Sequence, residues 1–236
     1  MSVQLQAPLS FQHSNKLTTQ TKFSKAAANY ASHANVQKQA AAHLFKMMAS
    51  KHQQGTCLDL GAGPLVNTAM LKTHFDTVLA MDLSHSMLST EQNPHCLKVC
   101  ADMDNLPLQQ NSLDCVFSNF AMQWSSDLAA LLTHFYRVLK PGGVILFADF
   151  GNQEDLKKLN AHLKNLDFKR LKNGIITENV VEALKLSTPN REELVRRLLP
   201  KFLQNLGRNF AAIEGTTTYN KFLTGEFEYV FYALMK

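Results

Sequence analysis

Short apolar runs alternate with amphipathic stretches between residues 56 and 150, and this alternation limits the possible folds more than any other feature of the sequence. The apolar runs are typical of buried strands, and the stretches between them place apolar residues at helical spacing. Repeated strand and helix units of this kind favour a doubly wound α/β fold with a mostly parallel sheet. The predicted strands are residues 56–60, 77–81, 97–100, 113–118 and 144–150, with helices at 66–73, 86–90 and 128–139.

The segments on either side of this core follow other patterns. Residues 26–48 are rich in alanine and other helix formers, which predicts one or two helices covering the sheet. After residue 150 the pattern is helical over 154–168, 178–185 and 191–206, and the aromatic residues 227–234 predict a closing antiparallel strand. We expect a flexible N-terminus at 1–20 and one domain at 21–236, with a cofactor-binding core at 55–150 and a helical, substrate-covering segment at 151–206.

Composition narrows the class of protein. The chain has 236 residues, 45% of them hydrophobic, which is enough for one substantial core. No stretch approaches the roughly 20 apolar residues of a membrane span, and no secretion signal is visible, so we expect a cytoplasmic protein that binds no membrane. The four cysteines favour free thiols over a metal site. Although the net charge is +5, no basic run is interleaved with aromatic residues, so we expect that the protein binds no nucleic acid. We also expect a monomer.

The loop after the first predicted strand is the expected ligand site, because open parallel sheets bind ligands beyond the carboxyl ends of their strands. Gly61 and Gly63 allow backbone N–H groups to approach a ligand that a Cβ would hold away. Asp82 ends the second strand, where its carboxylate can accept hydrogen bonds from ribose hydroxyls. The loop itself reads Asp59-Leu60-Gly61-Ala62-Gly63-Pro64.

A dinucleotide-binding fingerprint shares these features, so the two kinds of ligand have to be separated. The third glycine of Gly-x-Gly-x-x-Gly would fall at Val66, and Pro64 removes an N–H donor from the turn. Both differences weaken the case for a bound pyrophosphate. S-adenosylmethionine has no pyrophosphate and does not need that donor array, so the loop favours S-adenosylmethionine as the cofactor.

Polar and aromatic residues follow the later strands. Asp102 and Met103 end the third strand, where an adenine can be met; Asn119 and Gln123, after the fourth, can donate to a substrate oxygen. Trp124 offers a broad wall, and Tyr30 in the leading helix can place its ring near the positive sulfur, although both can equally be packing residues. The predicted cofactor residues are Asp59, Gly61, Gly63, Asp82, Asp102, Met103 and Asn119, and the predicted substrate-positioning residues are Tyr30, Asn119, Gln123 and Trp124.

These stretches resemble the motifs of class I S-adenosylmethionine-dependent methyltransferases, which share a Rossmann-like fold. The resemblance covers roughly residues 55–150 and adds Met87 to the cofactor-binding residues. Its motifs are Asp59-Leu60-Gly61-Ala62-Gly63-Pro64, Asp82-Leu83-Ser84 with Met87, Ala101-Asp102, Leu106-Pro107, Phe117-Ser118-Asn119 and Leu139-Lys140-Pro141-Gly142-Gly143. Within this superfamily, residues 23–39 and the stretch Ser118-Asn119-Phe120-Ala121-Met122-Gln123-Trp124 resemble the malonyl-[acyl-carrier protein] O-methyltransferase family of biotin synthesis.

That resemblance implies a methyl transfer from S-adenosylmethionine to the free carboxylate of a malonyl thioester on an acyl carrier protein. No residue is predicted to transfer a proton, because a carboxylate is already ionised at neutral pH. Acyl carrier proteins are acidic, so a basic surface is a candidate docking site. Two such surfaces are Arg196, Arg197 and Lys201, or Lys169, Arg170 and Lys172.

Two departures from the family pattern bear on this prediction. The third loop glycine of the family falls at Leu65, and the segment from Phe150 to Leu206 is short, with no predicted strand. Two alternatives therefore stay open. One is a methyltransferase for another small carboxylate or a hydroxyl acceptor, and the other is a protein that binds S-adenosylmethionine without turnover.

Overall fold

The fold is built on a seven-stranded sheet with the order β3-β2-β1-β4-β5-β7-β6. The computed structural model describes residues 35–48, 53–90, 96–198 and 200–236. Strands β1 to β5 run parallel to one another, and β7 lies antiparallel between β5 and β6. The strands are β1 (Gln53–Leu60), β2 (Phe75–Asp82), β3 (Leu97–Cys100), β4 (Leu113–Asn119), β5 (Leu139–Asn152), β6 (Lys169–Ile175) and β7 (Phe227–Met235).

Helices connect the strands and begin at recognisable caps. The side chains of Ser84, Asp127 and Asn152 each accept a backbone N–H three residues further along, which satisfies a donor that the helix itself leaves unpaired. The helices are α1 (Asn35–Phe45), α2 (Thr68–His74), α3 (His85–Leu88), α4 (Leu128–Val138), α5 (Gln153–Asn165), α6 (Thr177–Leu186), α7 (Thr188–Leu198), α8 (Lys201–Phe210) and α9 (Thr217–Leu223). Single 3₁₀ turns lie at Met103–Asn105 and Met122–Trp124.

Both faces of the central strands are buried, as their apolar runs require. Successive residues of β4 illustrate this, since Phe117 packs on the side of α1, α2, α6 and α9 and Val116 on the side of α4 and α5. The predicted doubly wound, mostly parallel sheet is confirmed, with its antiparallel C-terminal strand. None of the helices in the described ranges is long and apolar enough to span a membrane.

The segment after β5 corrects the prediction in two places. Residues 169–175 form a strand, β6, where no strand was predicted, and β6 rather than β7 holds the edge of the sheet. Its sequence is polar and it pairs on one side only, so it lacks the apolar pattern of a buried strand. The predicted helix at 191–206 is two helices, because Pro200 cannot continue α7 and instead precedes α8. The flexible N-terminus at 1–20 lies outside the described residues, and the domain boundaries stay a prediction.

Candidate active site

Backbone hydrogen bonds connect the carboxyl ends of the five parallel strands to their neighbours at one edge of the sheet. The N–H groups of Gly61 and Ala62, after β1, both donate to the carbonyl oxygen of Met81 in β2, at 2.8 and 3.0 Å. The N–H of Ala101, after β3, donates to the carbonyl oxygen of Asp82 at 3.1 Å. Phe120, after β4, donates to Ala148 of β5 at 2.8 Å. The segments in which ligand-binding residues were predicted therefore lie side by side.

The two loop glycines differ in what surrounds them. Both have left-handed backbone conformations, with φ of 68° at Gly61 and 53° at Gly63. A Cβ on Gly61 would overlap the Cβ of Ala121, whereas a Cβ on Gly63 would meet no atom within 4 Å. Gly61 thus allows the β1 loop to pack against the loop after β4, and Gly63 leaves an open space beside its backbone.

Asp82 joins the glycine loop to the loop after β2. Its Oδ2 accepts the N–H of Gly63 at 2.9 Å, and its Oδ1 accepts the N–H of Ser84 at 2.8 Å. Burial raises the pKa of Asp82, and these backbone N–H groups, with that of Leu83, oppose the rise. The carboxylate is half-buried, so it keeps a face that a ligand can reach.

The hydrogen bonds of the loop differ from the prediction that its N–H groups face a ligand. Those of Gly61 and Ala62 are used by Met81, and that of Gly63 is used by Asp82. The loop instead leaves open space beside the backbone of Gly63, next to the carboxylate of Asp82. This arrangement suits a ligand with hydroxyl groups better than a pyrophosphate, which needs free donors.

Asp59 lies beneath the loop. Only 1% of its surface is exposed, and its Oδ2 accepts the hydroxyl of Thr68, the first residue of α2, at 2.9 Å. Burial raises the pKa of Asp59 to about 7, and the Thr68 hydroxyl lowers it while the nearby Asp82 raises it. Because the carboxyl group is enclosed, its support of the predicted cofactor site is indirect: it ties β1 to the start of α2 across the loop.

The predicted adenine-binding residues lie at the end of β3. Asp102 caps the first 3₁₀ turn, since its Oδ1 accepts the N–H of Asp104 at 3.0 Å. Met103 is half-buried and packs against the core on the α4 and α5 side. Met87 in α3 is only 2% exposed, so its side chain presents almost no surface. Direct contact of these three residues with a cofactor stays a prediction.

Asn119, at the carboxyl end of β4, connects the sheet to α1. Its Nδ2 donates to the carbonyl oxygen of Gln37 at 2.8 Å, which uses one of its two N–H groups. The predicted donation to a substrate oxygen stays a prediction. Its Oδ1 is buried and has no partner in the described part of the chain. A buried acceptor without a donor is costly, and a ligand N–H would satisfy it. Tyr30, which was predicted to cover the cofactor, lies outside the described residues.

The loop after β4 is braced from below by a carboxylate that the sequence analysis missed. Asp149 of β5 is 2% exposed and accepts the N–H groups of Gln123 at 3.0 Å and Phe150 at 2.9 Å. Burial raises its pKa to about 7 against the effect of these N–H groups. The side-chain amide of Gln123 turns back to the carbonyl of Phe120 at 3.1 Å, while Trp124 is half-buried at the end of the 3₁₀ turn. Asp149 could have been recognised as another carboxylate at a strand end.

A group of aromatic rings beside this loop was also missed. Tyr229 of β7 lies 5.3 Å from Phe120, 5.2 Å from Phe150 and 4.5 Å from Phe222, measured between ring centroids. Burial raises the pKa of the Tyr229 hydroxyl, and the charge of Asp149 adds to that rise. These rings belong to the hydrophobic core that packs beside the loop after β4. Their residues are far apart in the sequence, so no local pattern indicates the group.

Leu65 occupies the position at which the family has a glycine. Its φ is 63°, a left-handed conformation that favours glycine, which gives a physical reason for the family residue. The side chain is 6% exposed and packs with Ala62, Ala80 and Leu88. Because it is enclosed in this small cluster, Leu65 does not fill the open side of Gly63.

The geometry fits a nucleoside that carries a positively charged amino-acid group. Asp82 offers a partly exposed carboxylate beside Gly63, and Asn119 offers a buried acceptor without a donor. Among the described residues, no three His, Cys, Asp or Glu side chains lie close enough together to hold a metal ion. The described side chains at this edge offer hydrogen-bond acceptors, and aromatic rings pack beside the loop after β4.

Comparisons with known proteins identify the domain and the fold. The sequence profile of a methyltransferase domain family matches residues 58–147. The fold is similar to that of a Haemonchus contortus phosphoethanolamine N-methyltransferase 2, solved with phosphomonomethylethanolamine and S-adenosylhomocysteine, with a TM-score of 0.68 and 22% identity over 84% of this chain and 52% of that one. The fold and the matched domain define a class I S-adenosylmethionine-dependent methyltransferase.

Relatives of known name place the chain within that class. It is 30% identical to a malonyl-[acyl-carrier protein] O-methyltransferase of Hamiltonella defensa, over 76% of this chain and 69% of that protein. It is 36% identical to a biotin biosynthesis bifunctional protein BioHC of Cellvibrio japonicus, over 55% of this chain but only 26% of that protein. The chain belongs to the malonyl-[acyl-carrier protein] O-methyltransferase family. It spans about a quarter of the length of the bifunctional relative.

Proposed function

We propose that this chain methylates the free carboxylate of a malonyl thioester held on an acyl carrier protein, as a step of biotin synthesis. The observation that carries the proposal is the contact between Gly63 and Asp82 at the carboxyl edge of the sheet, which leaves an open space beside a partly exposed carboxylate. Family membership supports the choice of acceptor. Four cysteines without a disulfide suit a reducing cytoplasm, which is the location that we propose.

Different residues at this edge would bind different parts of the cofactor. Asp82 would accept hydrogen bonds from ribose hydroxyls through the lone pairs that Gly63 and Ser84 leave free. The Oδ1 of Asn119 would accept an N–H from the cationic amino group of the cofactor, which would satisfy the acceptor that is now buried without a partner. Asp102 and Met103 would lie along the adenine.

The remaining residues would align the acceptor and exclude water. S-adenosylmethionine supplies an activated methyl group, and an ionised carboxylate can accept it without losing a proton first. Asp149 is not placed to act as a base, because it is buried and bound by backbone N–H groups. It instead positions the loop of Gln123, while Phe120, Tyr229 and Trp124 would close the acceptor side. Alignment and desolvation account for the catalysis that we propose.

Transfer of labelled methyl from S-adenosylmethionine to malonyl-loaded carrier protein tests the proposal directly. We expect a base-labile methyl ester on the malonyl-loaded carrier and none on the unloaded carrier. The same assay with succinyl and acetyl thioesters measures how strongly a malonyl carboxylate is preferred. Label on another carboxylate or on a hydroxyl compound, with none on malonyl thioesters, would replace the proposed acceptor. Binding of S-adenosylmethionine without any methyl transfer would favour the alternative that this chain binds the cofactor but does not catalyse a reaction.

Replacing Asp82 by alanine should weaken S-adenosylmethionine binding by roughly 1.5–3 kcal/mol, or about 10- to 150-fold, because a charged acceptor is lost. The variant also frees the N–H groups of Gly63 and Ser84, so the loop loses its tie to β2. Titration calorimetry gives the affinity, and thermal unfolding shows whether the fold survives. Asp82→Asn is the matched control, since it keeps one acceptor without the charge and should fall between the wild type and Asp82→Ala. Equal affinity in all three proteins would remove Asp82 from the site.

A further inference from the structure

The edge strand β6 ends at the same side of the sheet as the active site. Ile175 of β6 and Asp149 of β5 both pair with Val230 of β7. The carboxyl end of β6 is therefore level with Asp149, which holds the loop after β4; we call that loop the acceptor loop. The rest of β6 runs away from the site along an otherwise unpaired edge. A partner bound along β6 would therefore reach the acceptor side without crossing the sheet.

Six cations from β6, α5 and the turn after α1 lie along this strand, and we call this surface the basic edge. Lys46, which directly follows α1, and Lys172 of β6 both lie near His43, whose pKa is lowered by burial and lowered further by these two lysines. On the opposite face, the guanidinium of Arg170 donates to the Oδ1 of Asn160 in α5 at 2.8 Å and lies 5.5 Å from the ring of Tyr232. The six cations are Lys46, Lys157, Lys164, Lys169, Arg170 and Lys172.

A groove of about 610 Å³ separates α5 from the β6–β7 pair and belongs to this surface. Its charged lining consists of Lys157, Lys164, Arg170 and Glu228, so the cations outnumber the single carboxylate. Within the described ranges, no carboxylate forms an ion pair with Lys169, Arg170 or Lys172. The positive charge of β6 is thus left available to a partner.

Apolar side chains are interspersed among these cations. Leu171 is 49% exposed and Ile175 is 61% exposed, and both lie on β6 itself. Exposed apolar residues surrounded by charge are typical of a protein interface rather than of a site for a small ion. Lysines on an edge strand also oppose pairing with a second copy of the same strand. The combination favours an acidic protein partner over self-association.

The other basic group of the sequence is more fully compensated. Arg196 and Arg197 lie on α7 with Glu192 and Glu193, and Glu192 pairs with Arg208 of α8 at 2.6 Å. Two carboxylates thus share this helix with the two arginines and partly compensate their charge. This group provides a matched control of equal charge change.

We infer that the basic edge is the docking surface for the acidic carrier protein that presents the thioester. The inference rests on the proposed function and adds to it the place of the partner. Complementary charge would bring the acidic carrier to β6, and the apolar side chains of Leu171 and Ile175 would contact it. The thioester would then enter at the carboxyl end of β6, beside the acceptor loop.

Charge reversal on β6 tests this inference. The double variant Lys169→Glu, Lys172→Glu should raise the KM for malonyl-loaded carrier protein about tenfold at low salt, with kcat little changed. The KM for malonyl-N-acetylcysteamine, which has no carrier, should stay at the wild-type value. The control variant Arg196→Glu, Arg197→Glu should leave both KM values within about twofold of the wild type. Circular dichroism and thermal unfolding confirm that each variant is folded.

A binding measurement without turnover separates failure of this inference from failure of the proposed function. Fluorescence anisotropy of labelled, unloaded carrier protein should show weaker binding to the β6 variant than to the control variant. If the wild type methylates neither thioester, the proposed function fails, yet this binding difference still tests the surface. Equal affinities in the two variants, or a larger loss in the α7 variant, would overturn the inference. A change in sedimentation from dimer to monomer, with carrier affinity unchanged, would assign the edge to self-association.

Discussion

Replacing Gly61 by alanine should lower the free energy of unfolding by about 3 kcal/mol, whereas Gly63→Ala should lower it by about 1 kcal/mol. Both positions have left-handed φ values, so alanine is strained at each. Only at Gly61 does the added Cβ also overlap another atom, the Cβ of Ala121, which is fixed to the backbone and cannot rotate away. The difference between the two variants isolates the close packing of the β1 loop against the loop after β4.

Urea unfolding of both variants measures this difference, and a third substitution tests its cause. Adding Ala121→Gly to Gly61→Ala removes the methyl group that is overlapped, so the double variant should be about 1–2 kcal/mol more stable than the sum of the single effects predicts. Gly63→Ala should act mainly on cofactor affinity, because its Cβ would enter the open space beside Asp82. Equal losses of stability at Gly61 and Gly63 would contradict the packing described for these loops.

The central strands could be predicted from the sequence because their periodicity has a single explanation. Strands β1, β2, β4 and β5 contain short apolar runs separated by helical stretches, and only a sheet covered on both faces buries such runs. The edge strand β3 is mostly exposed. Residues 227–234 could likewise be predicted as a strand from their aromatic content, and β7 covers Phe227–Met235. The antiparallel direction of β7 is confirmed, but its position inside the sheet depends on β6.

The segment between β5 and α8 could not be predicted equally well. Lys169–Ile175 pairs with one neighbour only, so most of its side chains stay in water and can be polar. Its sequence therefore shows neither the alternation of apolar and polar residues nor the apolar run that indicates a strand. The pairing of this strand with β7 is set by tertiary contacts rather than by its own side chains. Pro200 is visible in the sequence, yet an apolar pattern that continues on both sides made one long helix the simpler expectation.

The positions of the site residues could be predicted, but their hydrogen bonds could not. A strand end determines where Gly63, Asp82 and Asn119 lie, and parallel strands bring their ends to one edge. Which donor meets which acceptor depends on distances of a few tenths of an ångström. Thus the Gly63 N–H donates to Asp82 rather than facing a ligand, and one N–H of the Asn119 amide donates to Gln37. The enclosed position of Asp59 likewise follows from α2, not from its local sequence.

The two buried carboxyls should make stability fall as the pH rises from about 4 to about 7. Burial raises the pKa of Asp59 and of Asp149 from 3.8 to about 7 in the folded protein. Between these two values the folded protein holds protons that the unfolded chain has released, so raising the pH favours unfolding. A shift of this size corresponds to at most about 4 kcal/mol for each group. The loss is complete above the folded-state pKa and absent below the ordinary one.

Urea unfolding at several pH values, compared between the wild type and Asp149→Asn, measures the contribution of one group. The amide cannot ionise, so the variant should lose less stability than the wild type over this pH range, by up to about 4 kcal/mol. The slope against pH is the readout, because the amide also disturbs the N–H groups of Gln123 and Phe150 at every pH. Glu182→Gln, at an exposed carboxylate, controls for the loss of a negative charge and should keep the wild-type slope. If Asp149→Asn and Glu182→Gln have the same slope as the wild type, Asp149 is ionised without cost in the folded protein, and the enclosed carboxyl beneath the acceptor loop would have to be in contact with water.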